Sequence, residues 1–317
     1  MQVLELEEPI FNLEQKVEEL IALSQKDGID LSDEIAKLRK KIKRKQRDVF
    51  AKLSSWERTL MARHPDRPYT KDYIDRIITD FMELHGERAF SEGPSIVGGI
   101  GKLDGRPVVV IGHQKGRDTK EKLYRNFGMP MPDGFRKALR LMKFAAKFKK
   151  PIIAFMDTPG AFPGIEAEER GQAGAIAENL KEMALLPVPM ISVVIGEGGS
   201  GGALAIGMGN RVLMLENAVY SVISPEGCAA ILWGGNEKMK EAAEALSITA
   251  QNLKQFRIID EIIKEPLGGA HKDYDRTASI LRRVLRRNLN ELCAMSPEDL
   301  INQRLQKYRV IGEFVEM

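Results

Sequence analysis

The sequence is poor in the residues that mark several common chemistries. Only two of its 317 residues are cysteine, Cys228 and Cys293, far apart and outside any C-x-x-C pattern, which excludes a disulfide framework or a thiolate zinc site. Its four histidines, His64, His85, His113 and His271, are scattered along the chain, so no metal is expected in it. A net charge of +3 is too slight to imply nucleic-acid binding. No apolar run approaches the roughly 20 residues that span a bilayer, and no secretory signal opens the sequence. The expectation is a cytoplasmic, reduced protein away from membranes. Glycine is nearly missing before Pro65, where Gly28 stands alone.

That glycine-poor stretch carries a helical period instead. Leu13, Val17 and Leu20 mark one amphipathic helix; after Asp27-Gly28, the residues Leu31, Ile35, Leu38, Ile42, Val49, Leu53, Trp56 and Leu60 mark another. The spacing predicts a helical hairpin whose single stripe cannot be buried on itself alone, and which packs on the main domain or on another subunit. Eight Lys or Arg fall between Lys37 and Arg47, mostly off the stripe: a solvated face, or one that meets an acidic partner. Residues 1–68 are read as this N-terminal helical region, a subunit contact, and residues 69–317 as the main domain.

Beyond the His64-Pro65-Asp66-Arg67-Pro68 linker, a helix is expected over 70–84 with Thr70 as its cap. Strands at 95–103 and 106–112 join at Asp104-Gly105, a hairpin signal. A polar loop, 114–133, holds Lys115, Arg117, Lys120, Lys122 and Arg125; coenzyme phosphates, an acidic partner or solvent would each suit its charge. Two similar units follow: a helix over 133–149, an apolar strand over 151–157 and the turn 158–164, then a helix over 168–186 and a strand from Met190. Such repeated βα units place their C-terminal loops at one crevice. Short strands at 211–215, 219–222 and 258–263 and helices at 238–246, 249–256, 273–292 and 297–308 complete the chain, with Ser224-Pro225 capping the helix that carries Cys228.

The organising stretch is Gly196-Glu-Gly-Gly-Ser-Gly-Gly-Ala-Leu-Ala-Ile206, after a β-branched strand and before a short apolar helix. Three motifs overlap in it. Gly196-x-Gly198-x-x-Gly201 with Glu216 downstream matches a dinucleotide fingerprint, against which stands a helix of barely two turns. Gly198-x-Ser200-x-Gly202 matches a nucleophile elbow, with Asp260 and His271 in triad order. The third reading is an oxyanion hole made by N–H groups around Gly201 and Gly202, which needs only the glycines. Close strand-to-helix packing alone would also use glycine.

Taken together, His113-Gln-Lys-Gly116, Arg125-Asn-Phe-Gly-Met129, Asp157-Thr-Pro-Gly-Ala161, Glu169-Arg-Gly171, the glycine stretch, Ser221-Val-Ile-Ser-Pro-Glu-Gly-Cys228 and Glu265-Pro-Leu-Gly-Gly-Ala-His271 resemble the carboxyltransferase α subunits of bacterial acetyl-CoA carboxylase. The likeness covers nearly the whole chain. It implies an α/β fold of the ClpP/crotonase type, a spiral of ββα units, with the helical hairpin in front. It implies a transferase active only with a β subunit, as an α2β2 heterotetramer, moving a carboxyl group from carboxybiotin, carried in trans on the biotin carboxyl carrier protein, to acetyl-CoA to give malonyl-CoA. In that family the backbone N–H groups matching Gly201 and Gly202 face the ureido oxygen of biotin. Gly160, Ala161, Gly199 and Ala203 are then expected to line the same crevice, Ser200 to be structural, and Cys228 to pack in the core.

Overall fold

β-branched runs bounded by glycine and proline become strands, and the amphipathic runs between them become helices, across residues 4–312, which the computed structural model describes. Helices α1 (Glu8–Asp27) and α2 (Ser32–Phe50) form the N-terminal hairpin, followed by α3 (Ser55–Ala62) and α4 (Thr70–Ile77). Next come β1 (Thr79–Glu83), β2 (Ile96–Leu103), β3 (Arg106–His113), α5 (Thr119–Tyr124), α6 (Pro132–Lys147) and β4 (Ile152–Thr158). Then α7 (Ile165–Glu169) and α8 (Gln172–Ala184) lead to β5 (Met190–Gly199), α9 (Ser200–Gly207), β6 (Arg211–Leu215) and β7 (Val219–Ser221). The chain continues through α10 (Pro225–Trp233), α11 (Met239–Ala245), α12 (Ala250–Gln255), β8 (Glu261–Ile263), α13 (Tyr274–Leu292) and α14 (Pro297–Arg309).

The sheet runs β1-β2-β3-β4-β5-β6-β8. Its first three strands are antiparallel and the remainder parallel, while β7 pairs with the tail of β5, Glu197 to Gly199. The β2–β3 turn is as expected, with Asp104 and Gly105 at φ 51° and 79°, the left-handed pair that matches the twist of a hairpin. β4 is buried at every residue and β5 at all but its last, because parallel strands are covered on both faces. Each large apolar side chain so buried contributes about 1.5–3 kcal/mol. α6 packs on β2 and β3, and α13 on β5 and β8.

Two buried arginines tie distant segments. Arg67 Nε donates to the Ile195 carbonyl at 2.7 Å, and its Nη atoms pair with both oxygens of Glu265 at 3.1 and 2.6 Å. Arg304, on α14, donates from Nη1 to the carbonyls of Met183 (2.7 Å) and Leu186 (2.9 Å), and from Nη2 to that of Val188 (3.1 Å). Those carbonyls lie in the last turn of α8 and in the segment that joins it to β5.

The structure corrects several expectations. The helix expected over 70–84 stops at Ile77, and the β-branched Ile77-Ile78-Thr79 turns the chain into an edge strand paired with β2. Thr70 is not the cap: Tyr69 holds that position, its N–H bonding Asp72 at 2.7 Å, while Thr70 Oγ1 donates to the His113 carbonyl. Gly171, at φ 82°, breaks the helix expected over 168–186 into α7 and α8. The loop 114–133 contains α5, capped by Asp118. As expected, the hairpin does not bury its stripe on itself alone: Ile10, Val17 and Ile42 are buried between its helices, while Leu13, Ile21, Ile35, Leu38, Val49 and Phe50 around them stay half-buried. Trp56 does not extend that stripe; on α3, it joins Ala62 in packing against Val219, Ala243 and Ile248 of the main body.

Candidate active site

β4 and β5 are parallel neighbours, so the segments that leave their C-terminal ends emerge side by side. They touch backbone to backbone. A Cβ on Gly199 would lie 2.1 Å from the Pro159 oxygen, and one on Gly202 would lie 2.5 Å from the Gly160 carbonyl carbon and 2.6 Å from Ala161 N. Gly201 differs: its Cβ would meet only the Ile176 side chain, at 3.3 Å. Thus Gly199 and Gly202 lie against Pro159, Gly160 and Ala161, and Gly201 and Ala203 flank Gly202 in α9.

α9 begins here without a side-chain cap. Gly201 and Gly202 lie in its first turn, where a helix leaves its N–H donors without intrahelical partners, and no side chain caps them. Such donors favour an oxygen that carries or gathers negative charge. On the facing loop the Gly160 N–H is already held by Thr158 Oγ1 at 3.1 Å, whereas the Ala161 N–H has no acceptor among the described residues.

Ser200 sits at φ 47° on a strand–turn–helix, the backbone of a nucleophile elbow, but its triad does not assemble. Asp260 accepts from Val212 N–H at 2.6 Å and pairs with Lys307, while the carboxylate beside His271 is Glu7, at 2.9 Å. Glu216 pairs with Lys264, at 2.5 Å. Beside Ser200 opens an apolar groove of about 360 Å³, lined by Leu204, Tyr220, Val222, Leu246 and Tyr308. Cys228 packs, as expected, against Ala229 and Ala242.

Beneath the two segments lies a set of charges that the sequence reading missed. Lys115 Nζ is 2.8 Å from Asp157 Oδ1 and 2.9 Å from Glu197 Oε2, and Arg63 Nε is 2.6 Å from Glu197 Oε1. Burial pushes the Glu197 carboxyl up, but Lys115 and Arg63 outweigh it and hold it at about 2. Burial likewise opposes the Lys115 ammonium, and Asp157 with Glu197 prevail, raising it. The available signal was a carboxylate at the end of each of two buried strands, a position that requires a cation. His113 is fully buried and its Nδ1 accepts from Asp157 N–H at 3.3 Å; burial pushes the ring down to about 3, so it stays neutral beside the Gly202 main chain.

Much of the basic loop is used internally. Arg117 stacks on Tyr69, bonds the Pro65 carbonyl at 2.6 Å and pairs with Asp72; Arg125 bonds the Pro94 carbonyl at 2.7 Å. With Lys115 also committed, only Lys120 and Lys122 of the five form no ion pair among the described residues.

The histidines are less scattered than expected. His64 and His271 stack with centroids 3.9 Å apart, and Glu7 lies against both. These three groups could surround an ion. His64 Nδ1 accepts from Asp66 N–H at 3.1 Å, and its Nε2 lies 3.4 Å from a Glu7 oxygen without a hydrogen-bond partner among the described residues. Burial would raise the Glu7 carboxyl, but the His271 and His64 contacts hold it well below its usual range.

The family model described as acetyl co-enzyme A carboxylase carboxyltransferase-like matches residues 3–312. The acetyl-coenzyme A carboxylase carboxyl transferase subunit alpha of Geobacter metallireducens is 59% identical over 313 residues, 99% of this chain and 98% of that protein. Its counterpart in Actinobacillus pleuropneumoniae is 58% identical over 310 residues, 98% of each. Among solved structures, transcarboxylase 12S superposes with a TM-score of 0.59 at 20% identity, over 72% of this chain and 42% of that one. A Pseudomonas malonate decarboxylase hetero-dimer gives 0.57 at 18%, over 68% of this chain and 88% of that one. These neighbours carry the fold alone, and it is the crotonase type expected. Matched along nearly its whole length by family and relatives alike, the chain belongs to the acetyl-coenzyme A carboxylase carboxyltransferase alpha-subunit family.

Proposed function

We propose that the chain works with a β subunit of related fold, as two α and two β chains in the cytoplasm. The complex transfers the carboxyl group of carboxybiotin, held on the biotin carrier protein, to acetyl-CoA, giving malonyl-CoA in the first committed step of fatty-acid synthesis. The observation that carries this reading is the start of α9, where the first-turn N–H groups of Gly201 and Gly202 have no side-chain cap and no nucleophile with an assembled triad stands beside them. Carboxybiotin supplies an activated carboxyl group and gathers negative charge on its ureido oxygen as that group leaves. The donors of Gly201 and Gly202, with Ala203 beside them, are assigned to that oxygen, and Gly160 and Ala161 line the biotin crevice. Donors fixed by the fold need no reorganisation as the charge forms, and one of them is typically worth about 10²–10³ in rate.

The surface supports a partner. Val222 and Ile231 are 76% and 75% exposed, a setting in which large apolar residues mark contact sites. We assign residues 1–68 to a further subunit contact, made by the exposed face of α1 and α2; α3, within that span, is buried against the main sheet.

The test is reverse transfer, malonyl-CoA plus biocytin giving acetyl-CoA, with this chain alone and then with its β partner. Activity confined to the mixture and kept by Ser200→Ala is expected. Turnover by the chain alone, or an assembled mixture without activity, overturns the reading, and labelling of Ser200 by a fluorophosphonate would return it to the hydrolases.

A further inference from the structure

The parallel ladder between β4 and β5 is interrupted just before the glycine segment. Pairing jumps from Met156 with Val194 to Thr158 with Gly198, so β5 carries extra residues there. A bulge of this kind redirects a strand and leaves its own main-chain groups without ladder partners. Side chains supply them. Arg67 Nε takes the Ile195 carbonyl at 2.7 Å, and Asp157 Oδ1 accepts the Glu197 N–H at 3.0 Å. The second contact needs Gly196, where a Cβ would lie 2.4 Å from Asp157 Oδ1.

The carboxylate of Asp157 therefore stands in for a backbone carbonyl, and its aim is fixed by one cation. Lys115 Nζ bridges it to Glu197 Oε2, at 2.8 and 2.9 Å. Arg63 occupies the other Glu197 oxygen and reaches on to Glu226. Lys115 follows β3 by two residues, so a single ammonium joins the C-terminal ends of β3, β4 and β5. From Glu197 the chain has only Gly198, Gly199 and Ser200 before it reaches Gly201, and β7 pairs with the first two of these.

We propose that Lys115 is a positioning residue for carboxyl transfer: by locking Asp157 and Glu197 across the β5 bulge, it aims the N–H groups of Gly201 and Gly202. It reaches the reaction only through these residues. The inference rests on the proposed function and adds to it the group that sets the donors' direction. Misaimed donors lower turnover and leave substrate binding by the rest of the complex in place, because their contact strengthens only as charge forms on the acceptor.

The experiment is reverse transfer by the assembled α–β complex carrying Lys115→Met, Glu197→Gln or both. Lys115→Met is expected to lower kcat 10- to 100-fold while KM for malonyl-CoA stays within twofold. The double variant should lose less than the product of the single losses, since both cut the same link. A folded, assembled Lys115→Met complex with kcat within twofold of the parent overturns the proposal, as does a loss confined to KM. Where Lys115→Met does not assemble, Glu197→Gln, which is isosteric, decides alone: a fall of at least threefold in kcat at unchanged KM supports the proposal and a smaller one overturns it. An inactive parent complex overturns the functional reading and this inference with it, whereas an active parent with an equally active variant overturns the inference only.

Discussion

Gly201 and Gly202 are adjacent in sequence and opposite in surroundings. A methyl group on Gly202 would press into the main chain of Gly160 and Ala161, while one on Gly201 would meet a single flexible isoleucine. Gly202→Ala is therefore expected to cut reverse transfer by about 10² or more, the scale of a lost oxyanion donor. Gly201→Ala, whose methyl leaves the backbone where it is, should lose less than about tenfold; equal losses in the two variants would sink the distinction. The sequence made the glycines legible because bare backbone before a short helix has few other uses. The charges beneath them were harder to see. Asp157, Glu197 and Lys115 are far apart in the chain, and Lys115 read as one more cation in a basic loop until burial and two carboxylates gave it a place.

At the scale of elements, helices with a clean apolar period were legible throughout, and errors gathered where propensity met tertiary context. The segment 70–84 keeps apolar residues at helical spacing, yet β2 offers an open edge, and pairing with it ends the helix at Ile77. In the hairpin the two helices pack on one another, and Glu7, just ahead of α1, fastens them to the main body by lying against the buried His64 and His271. Glu7→Ala strips the His271 ring of its hydrogen-bond partner, and a buried polar group left unsatisfied costs about 1–3 kcal/mol. Trypsin, given the basic α2, should then cleave within residues 37–52 at least tenfold faster than in the parent. An unchanged cleavage rate would show that the hairpin is held by something else.

For the molecule as a whole, His113 makes stability depend on pH. The folded ring is pushed down to about 3, whereas an unfolded histidine titrates near 6.5, so folding requires the neutral form. Its contribution is complete above the unfolded value and falls as pH drops from there toward the folded one, by up to about 1.4 kcal/mol per pH unit. His113→Asn keeps an acceptor for Asp157 N–H without the titration; urea unfolding between pH 7 and 4.5 should give a shallower loss of stability than in the parent, and parallel slopes would refute the assignment. Arg304 has a consequence in time. It reaches back 121 residues to the Met183 carbonyl and also holds those of Leu186 and Val188, so the turn before β5 waits for a residue translated 121 residues after Met183. At about 5–20 residues per second the delay is roughly 6–24 s. During that interval a nascent chain exposes the strand leading to the glycine segment without its clasp, which makes this the stage when a ribosome-bound chaperone, or premature pairing with another nascent chain, would have its opportunity.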